Sequence, residues 1–243
     1  MRANDTIREV YLVDTAARQS GNLILAPDTI NTWNRNLVTV AANTAANPLD
    51  GATNADTLTE TADTGYHQAR LSQCFAFAGA AASQQPFTVS CYVSAVSAGR
   101  YPTLSLSDNY TGQTSTIRAH FDVANKTGLS YPTGNAQNLD VSCADAGGGW
   151  TRLSMSAKLN WTAAAAADVI LYFDNAYDAY LFSYAGDTSK SMTVWGAMLN
   201  YGGLIDYIDA AHPMILDTAG TRGVRSFLGR LRTLSPIEWP YIN

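Results

Sequence analysis

Three histidines, His67, His120 and His212, and an acidic trio, Asp174, Asp178 and Asp187, are the side chains here that could move protons. A histidine beside a serine and a carboxylate would make a hydrolytic triad, but no Gly-x-Ser-x-Gly turn occurs and no histidine has a recognised nucleophile setting. Each histidine therefore reads as a surface or strand residue. Two carboxylates flanking a sugar linkage could cleave it, yet the acidic trio lies among turn-forming residues. Its members read as turn caps, with a Ca²⁺ site of side chains and carbonyls as the alternative. Their spacing follows no calcium loop, so neither a cofactor nor a metal is expected.

A stronger pattern is the run from Tyr172 to Tyr184, in which Tyr172, Tyr177, Tyr180 and Tyr184 alternate with Asp174, Asn175 and Asp178. The apolar face of a pyranose stacks on an aromatic ring while its hydroxyls take directed hydrogen bonds, so exposed tyrosines beside Asp and Asn suit a glycan. Tyr92 and Trp161 would extend the platform if their faces coincide with it. The same tyrosines would equally suit a strand and loop packed on the core or against a neighbouring subunit.

The chain that must position these residues has 243 residues, 14% of them charged, with a net charge of −5 and a pI near 5.0. Between Asn22 and Ile208 there are 14 acidic and 8 basic residues. That balance argues against a nucleic-acid partner, whose phosphates need clustered Lys and Arg. Cys74, Cys91 and Cys143 are odd in number and lack CxxC spacing, which points to buried free thiols. No stretch is apolar enough to span a bilayer, and the opening Met1–Val10 lacks the apolar centre of a signal peptide, so synthesis in a cytoplasm without membrane insertion is expected.

From Asn22 onward, period-two alternation recurs in short runs separated by Gly, Pro, Asn and Asp, the pattern of a two-sheet sandwich. In 87–95, Phe87, Val89, Cys91 and Val93 share one face and Thr88, Ser90, Tyr92 and Ser94 the other. In 152–159, Leu153, Met155, Ala157 and Leu159 oppose Arg152, Ser154, Ser156 and Lys158. Further strands are expected at 37–40, 103–107, 116–122, 168–173 and 191–199, and the alanine run 163–167 reads as a turn or strand edge. Pro48–Gly51 reads as a turn, and Trp150 and Trp195 as large side chains sealing the ends of the core.

Residues 1–21 form a mixed-charge arm. In the tail, 209–243, Val224, Phe227, Leu228, Leu231 and Leu234 follow helical spacing among Arg222, Arg225, Arg230 and Arg232. A basic, apolar tail behind an acidic module is expected to dock on a partner subunit. The four arginines would meet an acidic surface, with Phe227, Leu228 and Trp239 as anchors; docking back on its own sandwich is the alternative.

The ordered set Asn22-Leu23-Ile24, Trp33, Val38-Thr39-Val40, Pro48 to Gly51 with Asp56, the strand 87–95, Gly149-Trp150-Thr151-Arg152, Tyr184 to Ser189, and Val194-Trp195-Gly196-Ala197-Met198-Leu199 resembles the jelly-roll modules of bacteriophage virion proteins, which are similar to carbohydrate-binding modules. The family's closing strand carries Gln and Glu where this chain has Met198 and Asn200. The resemblance covers 22–208 and implies an all-β, two-sheet jelly-roll sandwich with an N-terminal arm and a short C-terminal helical tail. It further implies a non-enzymatic structural protein of a tail fibre, baseplate or capsid, a homo-oligomer such as a trimer, assembling with other virion subunits and attaching to a host surface. A glycan-binding receptor protein is the alternative, and a glycan hydrolase or esterase a third.

Overall fold

The computed structural model describes residues 22–24, 30–77, 86–108, 115–159, 165–178 and 183–207. After a short 3₁₀ turn at Ile30–Thr32 come β1 (Asn34–Asn36), β2 (Val38–Ala46), β3 (Thr53–Glu60), β4 (Thr64–Gly65), β5 (His67–Phe77), β6 (Phe87–Ser94) and β7 (Tyr101–Asp108). They are followed by β8 (Ser115–Asp122), β9 (Thr127–Gly134), β10 (Gln137–Gly147), β11 (Trp150–Lys158), β12 (Ala165–Asp174), β13 (Tyr184–Ala185) and β14 (Ser191–Tyr201). One sheet has the order β1-β5-β12-β7-β8-β9, the other β10-β11-β6-β14-β3-β2, and β4 pairs with β13. Every pairing is antiparallel, and the chain passes repeatedly between the sheets, as a jelly roll does.

Strand alternation builds the core. From the first sheet, Leu104, Leu106, Ile117, Ala119, Phe121, Val169, Leu171 and Phe173 point inward, and Phe87, Val89, Cys91, Val93, Leu153, Met155 and Leu199 meet them from the second. All the strands expected from alternation are present, and the alanine run becomes the start of β12 from Ala165. Strands β1, β3, β4, β5, β9, β10 and β13 are additional. Burial holds the Cys91 thiol at about 12 and the Cys143 thiol at about 11, and both are free, as expected of packed thiols. The side chain of Cys74 lies outside the described residues, as do both chain ends, 1–21 and 208–243.

Local side-chain locks fix the turns. Asn47 Oδ1 accepts from the amides of Leu49 (2.9 Å) and Asp50 (3.0 Å), and its Nδ2 donates to Asp50 Oδ1 (2.6 Å) and Asn54 Oδ1 (2.8 Å). That makes Pro48–Gly51 the turn the sequence predicts, with Gly51 at φ 76°. Asp56, buried, accepts from the amides of Asn31 and Asn43, both at 2.9 Å, and Asn22 ties the entering chain to Ala197 and Leu199 of β14. Polar residues of the resembling motifs thus act as backbone clamps.

The outer face of the second sheet departs from expectation. Alternation sets Thr88, Ser90, Ser154 and Ser156 on the side away from the apolar core, yet all are buried. The segment after β14 crosses over them: Thr88 Oγ1 donates to the Gly202 carbonyl (2.7 Å), Arg152 Nη2 donates to the Ile205 carbonyl (2.5 Å), and Tyr207 packs on Trp195 with ring centroids 4.4 Å apart. Trp150 and Trp195 therefore do not seal the main core. They form a second apolar cluster with Ala55 and Tyr92 on this outer face, because outward positions on β3, β6, β11 and β14 bring them side by side.

Candidate functional site

The outer face of the first sheet carries the chemistry. Inward Leu104, Leu106, Val169, Leu171 and Phe173 leave Tyr101, Thr103, Ser105 and Ser107 of β7 and Asp168, Ile170, Tyr172 and Asp174 of β12 pointing outward. Register then sets Thr103 beside His120, Ser105 beside Arg118 and Ser107 beside Thr116 of β8, and Arg118 and His120 beside Tyr131 and Leu129 of β9. Arg70 of β5 stands across from Ile170. The result is a polar face built from five strands.

Its floor is buried: Thr103, Ser105, His120 and Asp168 have no exposed surface, and Asp174 is 1% exposed. Larger side chains surround that floor, namely Gln68, Arg70, Tyr101, Arg118, Tyr131 and Tyr177, each partly exposed. At one end Arg70 forms an ion pair with Asp168. At the other, Thr103 Oγ1 donates to Asp174 Oδ2 (2.6 Å) and lies 2.9 Å from His120 Nδ1, which is itself 3.2 Å from Asp174 Oδ2. The His120 ring meets Tyr131 edge-on at 5.1 Å between centroids. Between the ends, Tyr172 hydrogen-bonds Arg118, and burial, outweighing the nearby arginines, pushes the Tyr172 hydroxyl above its ordinary range.

The loop after β12 completes the rim. Tyr177 stacks obliquely on Tyr101 at 5.7 Å, and its hydroxyl donates to Thr127 Oγ1 at 2.9 Å. Burial, and then the nearby Asp178 carboxylate and Tyr177, raise the Tyr131 hydroxyl. Four buried polar atoms of this face, Ser105 Oγ, Ser107 Oγ, Arg70 Nε and His120 Nε2, have no hydrogen-bond partner within the protein. Buried polar groups are ordinarily paired, so four such atoms on one sheet face mark a place where a ligand or water completes the bonding.

Of the residues expected to hold a glycan, Tyr172, Tyr177 and Asp178 belong to this face. Tyr92 does not: it lies on the opposite sheet, under Tyr207 and beneath the Arg152 guanidinium at 5.3 Å. Tyr184 is also elsewhere, 7% exposed, its ring against His67 at 4.6 Å and its hydroxyl donating to Glu60 Oε1 at 2.7 Å. A platform running from Tyr172 to Tyr184 is therefore excluded, because β13 turns Tyr184 inward to close the end of the core. Trp161 and Tyr180 lie outside the described residues, as do the tail residues Arg222, Arg225, Phe227, Leu228, Arg230, Arg232 and Trp239. Tyr101, Thr103, His120 and Tyr131 were not expected at a site; alternation marked 103–107 and 116–122 as strands, but not which strands would be neighbours.

His67 and His120 are buried strand residues, not surface ones. Of the trio Asp174, Asp178 and Asp187, the last is engaged in a different part of the molecule. Asp174 is engaged in the floor, while Asp187 caps its own turn through Ser189 and presents its amide to Glu60. Asp168 and Asp174 share the face but stand six residues apart on one strand, about 20 Å at 3.3 Å per residue, beyond the reach of paired glycosidase carboxylates. Among the described residues no group of three or more His, Cys, Asp or Glu could hold a metal ion.

No protein-family model matches the chain, and no curated protein does either. Solved structures with a similar course include an arabinose-bound α-L-arabinofuranosidase (TM-score 0.41, 10% identity, covering 77% of this chain and 25% of that one). Another is a protein of Bacteroides thetaiotaomicron to which sugar binding is ascribed (0.35, 10%, covering 78% and 98%). A third is a Clostridium thermocellum endo-1,4-β-D-xylanase fragment with its carbohydrate-binding and catalytic modules, complexed with xylohexaose (0.35, 14%, covering 78% and 29%). This chain thus spans about a quarter of the first and third. At such scores the likeness adds nothing to the geometry above.

Proposed function

We propose that the chain is a non-catalytic carbohydrate-binding module whose site is the outer face of the first sheet. The observation that carries this reading is the set of four unpartnered buried polar atoms on a face rimmed by Tyr101, Tyr131 and Tyr177. A saccharide supplies both parts of the match: ring faces for the tyrosines, and hydroxyls that donate and accept at Ser105, Ser107 and Arg70. On the second sheet the 202–207 segment already lies across Thr88 and Arg152.

A hydrolytic role finds less support. In a triad the base nitrogen opposite the carboxylate faces a nucleophile, whereas the hydroxyl near His120 lies on the carboxylate side, at Nδ1. A place in a phage virion, with attachment to a host-surface glycan, is supported by the order of sequence motifs alone; antibody labelling of particles tests it. For the module itself the test is a glycan array with the full chain, then titration of Tyr131→Ala and Tyr177→Ala. Binding that falls at least tenfold in either variant is expected, and array binding indifferent to both would refute the assignment of the face.

A further inference from the structure

We propose that His120 is a fixed hydrogen-bond acceptor that makes this site select a ligand hydroxyl, and hence a neutral sugar ring at the Tyr131 end of the face. The inference rests on the carbohydrate-binding reading above and goes further in naming the ligand class and the discriminating residue.

Proton accounting across three strands carries it. Thr103 Oγ1 has one proton, and the 2.6 Å contact to Asp174 Oδ2, an acceptor when ionised, is where that proton goes. The Thr103 oxygen can then only accept from His120 Nδ1 at 2.9 Å, and Asp174 Oδ2 at 3.2 Å from the same nitrogen likewise accepts. Both neighbours therefore require the proton on Nδ1. In a neutral imidazole the remaining nitrogen, Nε2, is then a bare acceptor. It is buried and has no partner in the protein.

The ligand must supply a donor there. A sugar hydroxyl does, whereas a carboxylate offers only acceptors and would meet Asp174 and Asp178 at that end of the face. The other polar groups sharing the face around His120 are Tyr101 of β7, Tyr172 of β12, Arg118 and Asp122 on its own strand, and Tyr131 of β9 with Tyr177 beside it. Arg118 is engaged with Tyr172. Tyr131, partly exposed on the edge strand and edge-on to the imidazole, is the side chain that yields to admit the hydroxyl.

Long-range ¹H–¹⁵N correlation spectra of the full chain without ligand read the tautomer directly. Proton on Nδ1 with Nε2 bare is expected; proton on Nε2, or on both nitrogens at neutral pH, overturns the proposal. The second arm uses an array of xylan-, glucan-, mannan- and galactan-derived oligosaccharides beside uronate-containing ones. His120→Asn keeps a donor near the Nδ1 position and removes the acceptor, while His120→Gln places an amide oxygen near Nε2. Neutral oligosaccharides should bind the parent chain, lose about tenfold with Asn, the worth of one directed hydrogen bond near 1.4 kcal/mol, and lose less with Gln. Preference for uronates, or equal loss in both variants, would overturn the role of His120 while leaving a glycan-binding face in place. No binding to any oligosaccharide, with the tautomer as expected, would instead bring down the carbohydrate reading and with it the selection proposed here.

Discussion

Glu60 shows how single side chains hold this fold. Its carboxylate has no exposed surface and accepts from Arg100 Nε (2.5 Å) and Nη2 (3.0 Å), the Tyr184 hydroxyl and the Asp187 amide. Burial alone would raise its pKa, but the Arg100 bonds, then Tyr184 and Asp187, outweigh it and the carboxyl lies below its ordinary 4.5. A depressed folded value gives stability that is complete above 4.5 and is lost as pH falls through the lower, folded value. Denaturant melts between neutral pH and pH 3 should therefore show declining stability, and Glu60→Gln should flatten that slope while costing stability at neutral pH. Tyr184→Phe should cost about 1–3 kcal/mol, the penalty for leaving a buried charged acceptor short of one bond. The sequence placed Tyr184 in a sugar platform because it lies near Tyr172 and Tyr177; only the β4–β13 pairing shows it facing the core. For His120, Thr103 and Asp174 the difficulty was different, since three strands contribute one residue each and their neighbourhood follows from register.

At the scale of elements, strands with a clean apolar alternation were legible, and those without it were not. Strand β9, Thr127–Gly134, is an edge strand with Pro132 and two glycines, and β5 sets Gln68 and Arg70 outward among polar neighbours. Neither has the contrast that alternation needs. The closing strand carries a glycine the motif comparison singled out, and the structure explains it. Gly196 has φ 64° at an irregularity in the β14–β6 register, and a Cβ there would lie 3.1 Å from Tyr207 and 3.2 Å from Tyr92. Gly196→Ala should cost about 1–2 kcal/mol and loosen the Tyr207 contact, read as a lower thermal midpoint and a red-shifted tryptophan emission. Gly186→Ala should be worse, because its Cβ would fall 2.0 Å from the Thr61 carbonyl oxygen, a backbone atom, and 2.3 Å from His67 Nε2. A loss of about 3 kcal/mol or more is expected in the same melts.

The whole molecule is a sandwich with two unlike outer faces. The second sheet is closed by the chain itself, through Gly202, Ile205 and Tyr207, so the segment leading into the tail begins by docking in cis. A fragment ending at residue 207 should melt cooperatively, whereas one ending at 201 should expose Tyr92 and Trp195 and melt lower. The first sheet keeps a polar floor and an aromatic rim, and that asymmetry is the basis for placing the glycan there. Amide chemical-shift mapping of residues 22–207 against the oligosaccharide found on the array tests the placement most directly. The account predicts the largest shifts at Thr103, Ser105, Arg118, Tyr131, Tyr172 and Tyr177. Shifts concentrated instead at Tyr92, Arg152, Trp195 and Tyr207 would contradict it.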